Sequence, residues 1–260
     1  MPTYGGGRHE HGQNFLIDPA IRDRIVALVA ATSGPIVEIG AGRGALTFSL
    51  QDLDRPLVAV EIDPRHARWL RARAKPSTSI VEDDVLRWRL PRHPYVAVGN
   101  LPFHLTTAVM RRLLHAPHWT LAVLLVQWEV ARRRAGVGGA TMMTAQWWPW
   151  VDFRLDCRVP ASAFRPRPTV DGGVVVMSRR TQPLVHPKDL DRYQRFVHAV
   201  FTGKGHGLVP IVSAVCDRRS TPGVTSWLRR EGLASALPKD LTAAHWARLF
   251  ALAHARRTRK

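Results

Sequence analysis

Pro35-Ile36-Val37-Glu38-Ile39-Gly40-Ala41-Gly42-Arg43-Gly44 is the stretch that decides the fold. An apolar run of strand length ends in three glycines at alternate positions. Leu46, Leu50 and Leu53 then recur at helical spacing, so the segment reads as strand, tight turn and helix. Similar signals continue outward. Upstream, Asp18-Pro19 is an N-cap followed by proline at the first helical position, with Ile21, Ile25, Leu28 and Val29 on one face of a helix to about Ala31. Downstream, Pro56 to Val60 reads as a strand, Asp63-Pro64 as a second cap, and His66 to Ala74 as an arginine-rich helix. Ser79 to Val81, Tyr95 to Val98 and Leu121 to Val126 read as further strands, and Thr106 to His115 as a helix. Continuous apolar strands separated by helices indicate a parallel sheet covered on both faces.

Beyond Gly136-Val137-Gly138-Gly139, read as a flexible loop, the period changes. Val151, Phe153, Leu155, Cys157 and Val159 alternate with polar partners, and Val174 to Met177 is a last apolar run. These predict a terminal strand pair, at least partly antiparallel. Pro183 and Pro187 mark a linker, and Leu190 to Phe201, Ser226 to Leu233 and Leu241 to His254 read as helices. The expected organisation is an α/β domain over 1–180 and a small all-α domain over 181–260. At 260 residues and 45% hydrophobic content the chain can bury such a core.

Lys and Arg outnumber Asp and Glu by 38 to 20, a formal net charge of +18. Solubility needs far less, so the excess points to a polyanionic partner, with nucleic acid favoured. Residues 179–260 are the more basic part, with 16 basic and 5 acidic side chains, and Arg256, Arg257, Arg259 and Lys260 could form an arm reaching phosphates. Two cysteines, Cys157 and Cys216, provide no disulfide framework, which suits the cytoplasm. No apolar run reaches membrane-spanning length, so no membrane partner is expected. The pairs His9/His11 and His115/His118 lack nearby Cys, Asp or Glu at ligand spacing, so no metal is expected.

In an open parallel sheet, ligands bind beyond the carboxyl ends of the strands. Gly40-Ala41-Gly42-Arg43-Gly44 sits at such an end, with the spacing G-x-G-x-G rather than the G-x-G-x-x-G of dinucleotide folds. Glu61 ends the next strand, where a carboxylate can accept both hydrogen bonds of a ribose diol, and so implies an adenosine-type cofactor with a free 2′-hydroxyl. Asp84 follows the third strand and could accept from an adenine amino group or cap a turn, with Glu82 and Asp83 as adjacent competitors. Glu38, the three glycines, Glu61 and Asp84 resemble, in order and spacing, the S-adenosylmethionine site of class I methyltransferases.

Asn100-Leu101-Pro102-Phe103 ends the fourth strand. The Asn100 side-chain carbonyl and the backbone carbonyl of the Leu101-Pro102 peptide could accept the two hydrogens of an exocyclic amine. Its lone pair, otherwise delocalised into the ring, would then be available, with no catalytic base required. Phe103 is placed to stack on a base, and Phe164 is either a second stacking wall or core. Trp147, Trp148 and Trp150 read as core.

Five motifs now fall in one order: His11-Gly12-Gln13-Asn14-Phe15-Leu16, Val37-Glu38-Ile39-Gly40-Ala41-Gly42, Val60-Glu61-Ile62-Asp63, Gly99-Asn100-Leu101-Pro102-Phe103 and Phe164-Arg165-Pro166-Arg167-Pro168. Together they resemble the rRNA adenine N6-methyltransferases, which comprise the Erm macrolide-resistance enzymes of 23S rRNA and the small-subunit rRNA dimethyladenosine transferases. The resemblance runs from residue 9 to about 178. It implies a Rossmann-like class I methyltransferase domain with a seven-stranded, mostly parallel sheet plus a helical C-terminal domain. It also implies an S-adenosyl-L-methionine pocket lined by Asn14 and Leu16 beside Gly40, Gly42, Glu61, Asp84 and Asn100. Gln127 to Arg134 and the compact basic tail resemble Erm enzymes in particular, which implies methylation in the peptidyl transferase loop of 23S rRNA and macrolide, lincosamide and streptogramin B resistance. Phe103 stands where tyrosine is common in the family, so stacking is kept and a phenolic hydrogen bond is not.

Arg111 and Arg112 on one helix, and Arg132, Arg133 and Arg134 beside the glycine loop, are the expected RNA contacts of a monomeric enzyme. The rival readings are the small-subunit 16S rRNA adenine dimethyltransferase, a non-catalytic RNA-binding protein of the same fold, and, more weakly, a DNA adenine methyltransferase.

Overall fold

The computed structural model describes residues 14–254, so His9, His11, Gln13 and the basic end from Arg256 to Lys260 lie outside the described residues. The chain opens with β1 (Phe15–Leu16), α1 (Pro19–Ala30), β2 (Ile36–Ile39), α2 (Thr47–Leu50), β3 (Leu57–Glu61), α3 (Pro64–Arg71), β4 (Thr78–Glu82) and β5 (Tyr95–Asn100). It continues with α4 (Thr106–His115), β6 (Trp119–Gln127), α5 (Trp128–Arg134), α6 (Met142–Trp147), β7 (Val151–Val159), β8 (Phe164–Arg165) and β9 (Gly172–Arg179), then α7 (Leu190–Thr202), α8 (Leu208–Val215), α9 (Thr221–Arg230) and α10 (Ala243–Ala253).

The two predicted caps form as their chemistry requires. Asp18 accepts from the amides of Ala20 and Ile21, and Asp63 from that of Arg65, each with a proline opening the helix. The helix after the glycines is shorter than the leucine spacing suggested: the left-handed turn through Gly44 delays α2 to Thr47, and Gln51–Leu53 closes it as a 3₁₀ turn.

Seven strands form one sheet in the order β4-β3-β2-β5-β6-β9-β7. The pairs β2–β3, β2–β5, β3–β4 and β5–β6 are parallel. β2 is buried along its whole length and β5 in its first five residues, as expected of strands covered on both faces. From β2 the chain proceeds to β3 and β4 on one side and then crosses to β5 and β6 on the other. The order therefore reverses between β2 and β5, and a crevice opens beyond their carboxyl ends, at Gly40 and Asn100.

Five elements have no counterpart in the sequence pattern: α5, which follows β6 directly, and β1, β8, α6 and α8. β1 and β8 pair antiparallel as an isolated ribbon, Phe15 opposite Arg165 and Leu16 opposite Phe164; two residues carry no readable period. α6 is a single short helix started by the Thr141 side chain, and α8 holds Pro210 in its first turn, where proline is tolerated.

The chain forms two compact units: residues up to Ala131 with Leu155–Met177, and Arg132–Arg154 with Ser178 onward. The division therefore does not fall once, at the linker near 180. Residues 132–154 go with the helices because α6 packs on α7. The Tyr193 hydroxyl donates to the Ala145 carbonyl at 2.9 Å and its ring meets Trp150 edge-on at 5.3 Å. Trp147 and Trp150 are each 7% exposed and serve as core. No helix among the described residues is long and apolar enough to cross a membrane.

Candidate active site

The crevice at the β2/β5 switch is a cleft of about 920 Å³, counting space open to solvent. Asn14, Leu16, Gly40, Gly42, Glu61, Asp84, Asn100, Leu101 and Pro102 all line it, from five separate stretches of chain. The cleft owes its shape to close backbone approaches. A Cβ on Gly99 would stand 2.5 Å from the Ile39 carbonyl oxygen, so glycine lets the ends of β5 and β2 meet. Gly42 has φ +54°, and a Cβ there would press on the Phe15 ring at 3.1 Å.

Glu61, 2% exposed, is held by two backbone amides: Gly42 N–H donates to Oε2 at 2.7 Å and Asp63 N–H to Oε1 at 2.8 Å. Each oxygen keeps a lone pair for a ligand, and the glycine turn is tied to the acid that faces it. Glu38 is buried beneath, accepting from the Thr47 hydroxyl at 2.6 Å. Burial pushes its carboxyl up to about 8, and the charge of Glu61 adds to that shift against the Thr47 hydrogen bond. At the rim, the Arg65 guanidinium and amide hold the Asp63 carboxyl well below the usual carboxylate range.

Asp84 both lines the cleft and caps a turn: its Oδ1 accepts from Leu86 N–H at 2.9 Å, and Asp83 lines the cleft beside it. Four carboxyl side chains, Glu38, Glu61, Asp83 and Asp84, thus meet one guanidinium, Arg43, in a protein of net charge +18. A cationic ligand suits this cleft better than a phosphate does.

The far end of the cleft is built by Asn100. Its Nδ2 donates to the backbone carbonyl of Asn14 at 2.7 Å, so the side-chain oxygen is left as the free end of the amide. Leu101 is buried and its N–H is taken by the Leu125 carbonyl at 3.0 Å, while the Pro102 carbonyl accepts from Leu105. Phe103 is half-buried and meets Phe164 edge-on at 6.4 Å. Phe164 itself is only 2% exposed, in the cluster with Leu16, Ile25 and Val174, so it backs Phe103 as core rather than standing as an open second wall.

The five arginines expected at RNA divide. Arg111 and Arg133 are exposed. Arg112 instead clamps the loop after Asp84, donating to the carbonyls of Leu86 (2.7 Å) and Trp88. Arg134, 9% exposed, donates to the Thr141 hydroxyl at 2.5 Å, and Arg132 to the Val137 carbonyl at 3.2 Å. Arg112 and Arg134 thus have hydrogen-bond partners within the protein, backbone carbonyls for the one and a hydroxyl for the other.

Phe15 has no role that its local sequence reveals. Its ring touches Gly42, carries the Arg43 guanidinium at 4.8 Å and meets His66 at 5.5 Å, all packing partners that only the β1–β8 ribbon brings together. Among the described residues, no group of three His, Cys, Asp or Glu side chains could hold a metal ion.

The switch-point cleft, its acid-held glycine turn and the Asn100 segment define a Rossmann-like methyltransferase. A family model for ribosomal RNA adenine dimethylase matches residues 6–250, and the chain belongs to that family. It is 54% identical to an rRNA adenine N-6-methyltransferase of Corynebacterium diphtheriae over 82% of this chain and 84% of the relative. It is 47% identical to the mycinamicin-resistance protein MyrB of Micromonospora griseorubida over 95% of this chain and 79% of the relative. The crystal structure of the 23S rRNA methyltransferase ErmE superposes with a TM-score of 0.84 at 32% identity, covering 92% of this chain and 99% of that one.

Proposed function

We propose that the protein transfers a methyl group to N6 of an adenine in the peptidyl transferase loop of 23S rRNA, and so confers macrolide, lincosamide and streptogramin B resistance. The single observation that carries the chemistry is the Asn100 amide, turned by the Asn14 carbonyl so that its oxygen is free to accept. The choice of 23S rRNA is supported by the resistance role in the name of MyrB and by the likeness to ErmE.

The acidic cleft fits S-adenosyl-L-methionine: Glu61 for the ribose hydroxyls, Asp84 for the adenine amine, and Asn14, Leu16, Gly40 and Gly42 as walls. When bound, that cofactor supplies an electrophilic methyl on a sulfonium cation. Asn100 Oδ1 and the Leu101 carbonyl accept the two hydrogens of the target amine. The nitrogen is thereby drawn toward tetrahedral geometry and its lone pair is aimed into the cleft. Phe103 stacks on the base, which must leave its own stack to enter. Once nitrogen carries the new bond it is acidic, and its proton passes to water. The enzyme acts as a cytoplasmic monomer, with Arg111, Arg132 and Arg133 offered to RNA and Phe164 supporting Phe103.

Incubated with labelled S-adenosylmethionine, the purified protein is expected to label deproteinised 23S rRNA, and its expression in a sensitive bacterium to raise erythromycin tolerance. Labelling confined to pre-30S particles would place the chain with the small-subunit enzymes instead.

A further inference from the structure

The arginine-rich helix α3 plays no part in the methyl transfer, yet it starts at the cleft. Ile62, 50% exposed, lines the cleft one residue before the Asp63 cap, and the buried face of α3 is carried by Ala67 and Leu70. Its exposed side bears Arg65, Arg68, Trp69 and Arg71, followed by Arg73 and Lys75, and residues 64–75 hold no acid. Arg65, Arg71 and Lys75 are balanced by Asp63, Glu82 and Asp52. Arg68 and Arg73 have no acidic partner among the described residues.

Trp69 is 37% exposed, and the Arg73 guanidinium lies over its ring at 4.6 Å, held by a 3.4 Å hydrogen bond from Arg73 to the Trp69 carbonyl. Phe48 props the indole edge-on at 5.5 Å. Arg65 and Trp69 stand four apart on the exposed face of α3, and Arg73 follows in the turn just beyond its end at Arg71. Trp69 lies about 9 Å along the axis from the cap that follows the cleft-lining Ile62. A flat guanidinium backed by an indole, with an unpaired cation alongside, is the combination that stacks unpaired bases and neutralises their phosphates.

We propose that the surface formed by Arg68 and Trp69 on α3 and by Arg73 in the turn that follows it is a second RNA contact, receiving a single-stranded segment that flanks the target adenine. This rests on the assignment of an RNA substrate. The test compares deproteinised 23S rRNA with a hairpin oligonucleotide that carries only the target loop and its closing stem, using Trp69→Ala and the double variant Arg68→Glu/Arg73→Glu. The double variant leaves the Phe48–Trp69 packing in place and guards against misfolding. Expected is a rise of about fivefold or more in Kd and KM for 23S rRNA, the scale of removing one stacked base. The hairpin KM, kcat and cofactor affinity should stay unchanged. The double variant should also flatten the salt dependence of 23S rRNA binding by about 0.7 log per log for each phosphate that the two arginines neutralise. An unchanged 23S rRNA Kd in the double variant, or an equal weakening on the hairpin, overturns the proposal. Wild-type protein that labels only pre-30S particles would refute the substrate assignment, and the Kd comparison would still report on this face.

Discussion

The cleft and the arginine set are both readable in the sequence, and they fare differently in the fold. Every residue expected to line the cleft does line it, from Asn14 to Asn100. Of the five arginines expected at RNA, Arg112 and Arg134 are committed to partners within the protein. The cleft residues are short and sit at strand ends, where the backbone dictates their place. An arginine can swing through several ångströms to whichever acceptor is nearest, and spacing along the chain does not say which that is.

The sharpest way to break this contrast is at Asn100. Asn100→Ala is expected to cost about a hundredfold or more in kcat, the scale of removing one preorganised polar contact from a transition state, with cofactor affinity less affected. Single-turnover methylation would check it, and near-normal turnover would mean that the amide is not what holds the amine. Next in size, Glu61→Gln should weaken cofactor binding about ten- to a hundredfold, because a charged acceptor held by the Gly42 and Asp63 amides becomes neutral and one of those two amides loses its acceptor to an NH₂ that can only donate. Calorimetry with S-adenosylmethionine reads that weakening directly.

Arg111 and Arg112 provide an internal control on neighbouring residues. Arg112→Ala frees the loop that carries Asp83, Asp84 and Val85 to the cleft, so the KM for cofactor should rise about fivefold, with little change in the salt dependence of RNA binding. Arg111→Ala should do the reverse. Two variants that behave alike would mean that clamp and RNA contact are not divided between these neighbours.

The smallest effect concerns Glu38. Its carboxyl titrates near 8 when folded, above the ordinary carboxylate value, so it stays protonated in the native state at pH values where the unfolded chain has given up that proton. Stability from this group is complete below the ordinary value and declines as pH rises to about 8. Glu38→Gln should therefore flatten the fall of Tm across that window, gaining most at its alkaline end. Melting curves at several pH values would show it, and parallel profiles for the two proteins would contradict it.

Much of the fold was legible because its signals are local. Asp18-Pro19 and Asp63-Pro64 announced their helices, and the continuous apolar runs of β2 and β5 announced a sheet covered on both faces. Two kinds of feature were not legible. α6 and α8 are too short for a helical period to stand out, and their stability comes from packing within the helical unit. Phe164 and the arginines have side chains whose partners lie far along the chain or have several alternatives, so composition cannot choose between core, clamp and contact.

By itself the sequence determined the order of strands and helices, the glycine turn, the acids at the strand ends, and the Asn100-Leu101-Pro102-Phe103 segment beyond β5. These depend on backbone preference and on the period of apolar residues, which act over a few positions. Only the tertiary structure decided that Phe15–Leu16 would pair with Phe164–Arg165, that the Asn14 carbonyl would turn the Asn100 amide across 86 residues of chain, and that Arg112 would hold the Asp84 loop. Each of those contacts joins groups whose local sequence would tolerate other partners, and the closing of the sheet selects among them.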